Sequence, residues 1–362
     1  LNLQFGKTFT LDDISRELGF ASPSGLSPKQ SRTLTTRLAQ RVMDEINGVT
    51  AVTPGPLVAM ALLNHHRRGL SHDKLLRHCD RLHGALSEMG ARVGPALANS
   101  TRVLRPDAVR EAAQMFADAG MIEVHSANEL LTGKGRRKAR AGSGMVYTLV
   151  EDRRVELDTS KNMILHFFAE RAMLASAMRP AHDAPMSEAE LRERSTYLAN
   201  LLKHEFLSQD PAQRFDQVLA VMVNRQELVV TDTGDVVAGP GRDGWSGQKW
   251  LLVYASMLKN FIESYFIVLR SLVVLVGGPM TEKELLKVAL ATGQRMYLAG
   301  EVERREAVSK FVMENAILSY LEQGILRPRG GEVQLADDWA SEATLMQAAQ
   351  RVRGYTDREG VL

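Results

Sequence analysis

A cation, an amide and an imidazole lie within six residues at Lys161, Asn162 and His166. Asn162 and His166 are four apart, so a helix brings them to one face. Thr159 or Ser160, just upstream, can cap such a helix through a side-chain oxygen. A helix that begins there puts Lys161 and Asn162 in its first turn, where free backbone N–H groups and the helix dipole favour an anion. That set of groups suits a phosphate or a carbonyl oxygen. The residues that follow, Met163, Ile164, Phe167, Phe168 and Leu174, suit burial. The stretch from Leu157 to Met178 therefore also fits a capped core helix whose polar groups satisfy one another.

A second cluster is purely cationic. Lys134, Arg136, Arg137, Lys138 and Arg140 sit between Gly133 and Gly142. The flanking glycines read as a solvated loop. The sharper reading is contact with anionic lipid head groups, worth about 1 kcal/mol per basic residue near the surface. No aromatic residues are interleaved to stack on RNA bases. Other chemistry is missing. There is no Gly-rich phosphate loop, and residues 239–244 make a turn-rich connector. There is no Gly-x-Ser-x-Gly elbow. The histidines show no metal spacing, and His65, His66, His72, His78 and His83 read as lining a solvated helix face. No catalytic residue, metal ligand or cofactor is expected in this chain.

The elements that must position these groups are those of an ordinary globular protein. The chain has 362 residues, 44% hydrophobic and 24% charged, with a net charge of +2. That length suits two or three domains and a sizeable core. The charge implies no general attraction to nucleic acid. One cysteine, Cys79, excludes an internal disulfide framework and reads as a helical core or surface residue. No signal peptide or transmembrane run stands out. The apolar run from Phe261 to Val276 is interrupted by Glu263 and Arg270, which predicts a buried or interfacial helix. Leu1, Leu3 and Phe5 alternate like the last strand of a sheet whose other strands lie elsewhere, which suggests an N-terminally incomplete chain.

One arrangement recurs three times. Leu70-Ser71, Met186-Ser187 and Met280-Thr281 each carry a hydroxyl N-cap with a leucine four residues on, a hydrophobic staple. Glu190 and Glu284 complete capping boxes in the second and third, and Lys74 breaks the first. A further helix follows in each, then short apolar strands, then a closing helix: Lys161–Met178, Gln248–Val276 and Ser341–Arg353. The predicted fold is mainly α, a helical bundle of about three winged-helix-like units with short β-hairpins. Expected boundaries are 1–30 (the tail of an α/β domain and a linker), 31–180, 181–278 and 279–362. In the first unit Ser31 to Ile46 reads as a long amphipathic helix with Leu34, Leu38, Val42 and Ile46 on its buried face. The candidate recognition helices, at 107–111 and 306–310, are neutral or acidic and argue against DNA.

Ser160-Lys161-Asn162-Met163-Ile164-Leu165-His166 resembles a segment of the bacterial membrane-associated glycerol-3-phosphate acyltransferase family, in which Arg-Asn-Asn and a following His lead into an apolar helix. Lys161 stands for the Arg, Met163 for the second Asn, and His166 keeps the His. Residues 1–7 resemble the segment that closes the family's acyltransferase domain. Residues 45–53, 70–76 and 322–326 resemble later landmarks in the same order. The resemblance is to the C-terminal helical region alone. The family's His-x-x-x-x-Asp pair and Phe-Pro-Glu-Gly are absent, and Lys161 lacks the bidentate fork of Arg. It implies acyl transfer from acyl-CoA or acyl carrier protein to glycerol 3-phosphate by the whole protein, with this chain inactive alone. It also implies an upstream acyltransferase domain as partner, no nucleic acid, and a peripheral place on the cytoplasmic face of the bacterial inner membrane. Lys161, Asn162 and His166 would then face the catalytic domain, binding substrate or holding the interface. The rival readings are a helical scaffold acting with a separate acyltransferase and a tandem winged-helix regulator.

Overall fold

Side-chain caps begin the first helices where the sequence marks them. The computed structural model describes residues 4–65, 69–99, 101–126, 141–178, 184–206, 211–242 and 244–356. Thr10 and Asp13 exchange hydrogen bonds as a capping box ahead of α1 (Leu11–Glu17). Ser27 and Gln30 do the same for α2 (Pro28–Val49), with Pro28 in its first turn. A two-residue strand, β1 (Ala51–Val52), leads into α3 (Pro54–Leu63), which is buried along most of its length.

From Gly69 one arrangement recurs three times. In the first unit β2 (Gly69–Ser71) leads into α4 (His72–Glu88), then β3 (Arg92–Val93) pairs in parallel with β1. Next come α5 (Pro106–Asp118), β4 (Ile122–Ser126) and β5 (Met145–Leu149). Both β2 and β4 pair antiparallel with β5, so the strand that opens the unit closes its hairpin. Helices α6 (Arg154–Leu165) and α7 (Ala169–Ala177) follow. The second unit repeats the pattern with β6 (Met186–Ser187), α8 (Glu188–Leu201), α9 (Pro211–Asn224), β7 (Leu228–Val230) and β8 (Asp235–Ala238). Here β6 pairs with β8, and β8 with β7. Helix α10 (Gly247–Ser271) closes it. In the third unit Met280 bridges to Val333, around α11 (Glu282–Leu298), α12 (Lys310–Glu322), β9 (Leu326–Arg329) and β10 (Glu332–Leu335), with α13 (Glu342–Arg353) last.

Helix α10 is the axis. It packs against α7, α11, α12 and α13. Trp250, Leu251, Tyr254, Leu258, Ile262, Tyr265 and Ile267 are all buried on it. Each such side chain contributes about 1.5–3 kcal/mol by leaving water. Its start is held tightly. A Cβ on Gly247 would collide with the Glu227 carbonyl, and one on Gly239 with the Gln226 carbonyl. With its 3₁₀ extension to Gly277 the helix is long and apolar enough to cross a membrane, yet 72% of its most apolar window is buried. Most of the run from Phe261 is therefore core, while Val274 and Val276 at its end are exposed.

The mainly helical fold with short antiparallel hairpins agrees with the sequence reading. Several details do not. The helix expected to begin at Lys161 begins seven residues earlier, at Arg154, so Thr159 and Ser160 lie inside it. The Thr159 hydroxyl donates to the Val155 carbonyl, 3.0 Å, a bond inside a helix rather than a cap. The same stretch is two helices, because Phe167 and Phe168 take tight three-residue hydrogen bonds to Ile164 and Leu165. On α2 only Leu34 is buried, while Val42 and Ile46 are exposed, so its expected inward face is turned partly outward. No strand forms at residues 4 and 5, and Phe5 is 84% exposed. Leu1 and Leu3 lie outside the described residues. Ser187 caps α8, but Glu190 does not close a capping box. Thr281 and Glu284 do close theirs. His72 and His83 are buried rather than solvated. Cys79 is a core residue. The cationic residues Lys134, Arg136, Arg137, Lys138 and Arg140 lie outside the described residues.

Candidate functional site on helix α6

Helix α6 carries the three residues that opened the sequence reading, and it does not turn them to one side. Lys161 points inward. Its Nζ lies 2.7 Å from Asp158 Oδ1, one turn earlier on the same helix. It also donates to the Met257 carbonyl and to Asn260 Oδ1, both at 3.3 Å, and sits 5.8 Å from the Phe261 ring. All four partners of the ammonium are thus protein groups, three of them on α10. Asp158 Oδ2 in turn accepts from Asn162 and from Asn260, at 3.1 and 3.3 Å. The result is a buried polar bridge from α6 to the middle of α10. Its members pair with one another, with Asp158 Oδ1 held by the Lys161 ion pair alone.

Two more ion pairs fix the surroundings. Arg154, at the start of α6, grips Glu306 with two hydrogen bonds of 3.0 and 3.1 Å, both residues buried. Burial alone would raise the Glu306 carboxyl, but the Arg154 guanidinium outweighs it and holds the acid below its ordinary range. Glu263 on α10 accepts the backbone N–H groups of Glu303 and Arg304, at 3.1 and 2.9 Å. Burial pushes its carboxyl up to about 7 against the pull of Lys259. Helix α6 is therefore clamped both to the axis and to the third unit.

His166 stands at the end of α6, where it hydrogen-bonds the Asn47 backbone of α2. That contact favours the protonated ring, so the imidazole donates to the Asn47 carbonyl. Its Nε2 is shielded and has no hydrogen-bond partner among the described residues. Burial lowers the His166 pKa, so the ring is neutral near pH 7. Asn162 is exposed, its amide tied back to Asp158.

The exposed face of α6 continues into neighbouring elements. Met163 is 59% and Val155 is 52% exposed. A Cβ on Gly55 would touch both Met115 of α5 and Ser160 of α6 at 3.8 Å, so these two side chains flank one spot. Met115 is also exposed, as are Met43 and Ile46 beside Asn47 on α2. Met115, Met163, Met43 and Ile46 are thus large apolar side chains exposed on three helices, α5, α6 and α2. Sequence reasoning singled out Lys161 but missed Asp158 and Asn260, the groups it meets. The signal was present: an acid one turn before Lys161, and Lys259, Asn260 and Glu263 inside an otherwise apolar helix. Among the described residues no group of acids, histidines and cysteine is arranged to hold a metal ion.

Residues 1–329 match the family described as the glycerol-3-phosphate acyltransferase C-terminal region. Similar proteins include a provisionally named acyltransferase, plsB1, of Mycobacterium tuberculosis. It is 26% identical over 289 residues, which cover 78% of this chain and 42% of that protein. The glycerol-3-phosphate acyltransferases of Ectopseudomonas mendocina and Pseudomonas putida are 26% and 25% identical, over 81% and 82% of this chain. The chain spans 42% of the length of the mycobacterial relative and 33% of each of the other two.

Proposed function

The chain belongs to the glycerol-3-phosphate acyltransferase C-terminal region family, and on that premise we propose that it is the C-terminal helical region of an acyltransferase acting on glycerol 3-phosphate. The whole protein moves a fatty acyl group from acyl-CoA or acyl carrier protein to the sn-1 hydroxyl, a step of phospholipid synthesis. It works peripherally at the cytoplasmic face of a bacterial membrane. The transfer itself is done outside these residues. None of the nine histidines has an aspartate five positions on, and no Phe-Pro-Glu-Gly is present. A general base for a glycerol hydroxyl needs such an oriented imidazole.

The role of this chain is to carry and brace the acyltransferase domain. The observation that supports it is the exposure of Met115, Met163, Ile46 and Met43, large apolar side chains of the kind that mark a protein partner. These residues lie in the N-terminal half of a chain that covers 42% and 33% of two of its relatives. Of the two roles open to Lys161, Asn162 and His166, the interface role is the better supported. Lys161 is occupied inside the protein, whereas Asn162 is exposed and His166 is partly buried at the end of the same helix.

The test is an acylation assay with labelled glycerol 3-phosphate, run on this chain and on a longer protein that includes the acyltransferase domain. We expect product only from the longer protein. In that protein Met163→Asp lowers activity at least tenfold while the isolated chain keeps its stability. Product from this chain alone, or full activity in the variant, refutes the reading. Activity restored by adding this chain to a separate acyltransferase domain moves the conclusion to a scaffold acting in trans.

A further inference from the structure

A cleft of about 930 Å³ lies between α2 and the ends of α8 and α12, a size that suits a small molecule. Its lysine, arginine and histidine are already engaged. Lys203 and His204, in the turn after α8, both pair with Glu322 at the end of α12, the His204 Nε2 at 3.1 Å. Arg37 reaches back from α2 to Glu17 on α1, at 3.2 Å. Glu205, beside His204 in the same wall, is different. The buried Tyr265 of α10 donates its hydroxyl to Glu205 Oε1 at 3.3 Å, and Asn315 of α12 adds a second hydrogen bond. Both partners are neutral. Among the described residues no lysine, arginine or histidine forms an ion pair with Glu205, and residues 207–210, next along the chain, include no cation.

The electrostatics agree with this geometry. Burial raises the Glu205 carboxyl to about 7, and only the two hydrogen bonds oppose it. A carboxyl in that state gains from a positive charge brought beside it, because the charge favours the ionised form. The α2 wall supplies further acceptors. The Thr35 hydroxyl already donates to the Ser31 carbonyl at 3.0 Å, so towards a ligand it accepts. Gln40 lines the same wall with an amide oxygen, and Asp44 adds negative charge. Ala39 and Met43 make the apolar part of the lining, against which an alkyl stem can lie. An anion would meet the opposite, two acids and a lysine already held by Glu322. An ammonium has three N–H donors and matches a carboxylate ringed by neutral acceptors.

We propose that this cleft binds a small organic cation with a primary ammonium group, paired with the Glu205 carboxylate and seated against Thr35 and Gln40 of α2. The inference does not depend on the acyl-transfer reading, and its test does not use activity. The intact chain is titrated calorimetrically with n-butylammonium at pH 8, with ionic strength held constant by potassium chloride. Glu205 is ionised there and the amine is still protonated. Saturable binding is expected, about tenfold or more tighter than that of butan-1-ol, which has the same stem without the charge. Glu205→Gln keeps the shape of the side chain, removes its charge and weakens binding by about tenfold or more. Gln40→Lys places a cation in the opposite wall, leaves Glu205 untouched and weakens binding too. Glu282→Gln, at an exposed acid in the first turn of α11, leaves the affinity unchanged. No saturable binding of the ammonium overturns the proposal. So does equal binding of the alcohol, full affinity in either cleft variant, or equal loss in the α11 control.

Discussion

Lys161 directs its charge into the protein, and that decides what its loss does. Removing the ammonium alone strands Asp158, whose side chain is 11% exposed, beside Asn162 and Asn260. Lys161→Met is therefore expected to cost about 3–5 kcal/mol, the usual loss when a buried ion pair is broken from one side. Removing both charges, as Lys161→Met/Asp158→Leu, should recover at least about 2 kcal/mol of that, because no uncompensated charge remains. Urea unfolding of the two variants against the parent measures the coupling. A double variant no more stable than Lys161→Met would show that the pair does not act as a unit. At this scale the sequence showed the residue types but not their direction. Lys161 and Asn162 are adjacent, and one lies in the core while the other is in solvent. Lys161 shares the buried face of α6 with Leu157, Ile164 and Leu165, and its partner Asn260 lies 99 positions away. No local signal contains that partner.

The elements were more legible than the residues. Thr10, Ser27, Ser187, Ser246, Thr281 and Ser341 each accept a backbone N–H at the start of a helix, so local chemistry marks these starts. Ser71 marks α4 equally well in sequence but makes no side-chain cap. The face of α2 was misread because an apolar stripe states that a face will be covered and not by what. Glu263 shows the opposite case, a polar residue in an apolar helix whose purpose lies in another unit. Its carboxylate holds the N–H groups of Glu303 and Arg304 and so fastens the approach to α12 onto α10. Glu263→Ala leaves two shielded donors unpaired, a loss of roughly 2–4 kcal/mol. The effect should be local before it is global: the Glu303 and Arg304 amides should exchange hydrogen much faster while those in the middle of α10 stay protected. Uniform acceleration along α10 would mean that Glu263 braces the helix itself.

Across the whole molecule the buried titratable groups pull stability in two directions with pH. His78 is lowered to about 4, chiefly by burial, so it stays neutral in the folded chain. The unfolded chain binds that proton first, and this contribution is lost as pH falls from 6.5 towards 4. His72, His83 and His166 are lowered too, each mainly by burial, and act with the same sign. Glu205 works against them. It lines a cleft of about 930 Å³ between α2 and the ends of α8 and α12. Burial raises its carboxyl to about 7, opposed only by hydrogen bonds from Asn315 and Tyr265. A raised acid favours its protonated form when folded, so its contribution is full below the unfolded value of 4.5 and is lost as pH rises to about 7. The two slopes oppose each other between pH 4.5 and 6.5, which flattens the parent's profile there. Glu205→Gln removes one of them. The stability of the variant relative to the parent should then grow by up to about 3 kcal/mol between pH 4.5 and 7 and stay level above it. Urea midpoints for both proteins at pH 4.5, 6 and 8 make the comparison. A gap that is constant with pH would mean that the folded chain leaves the Glu205 carboxyl at its ordinary value, with water from the cleft reaching it.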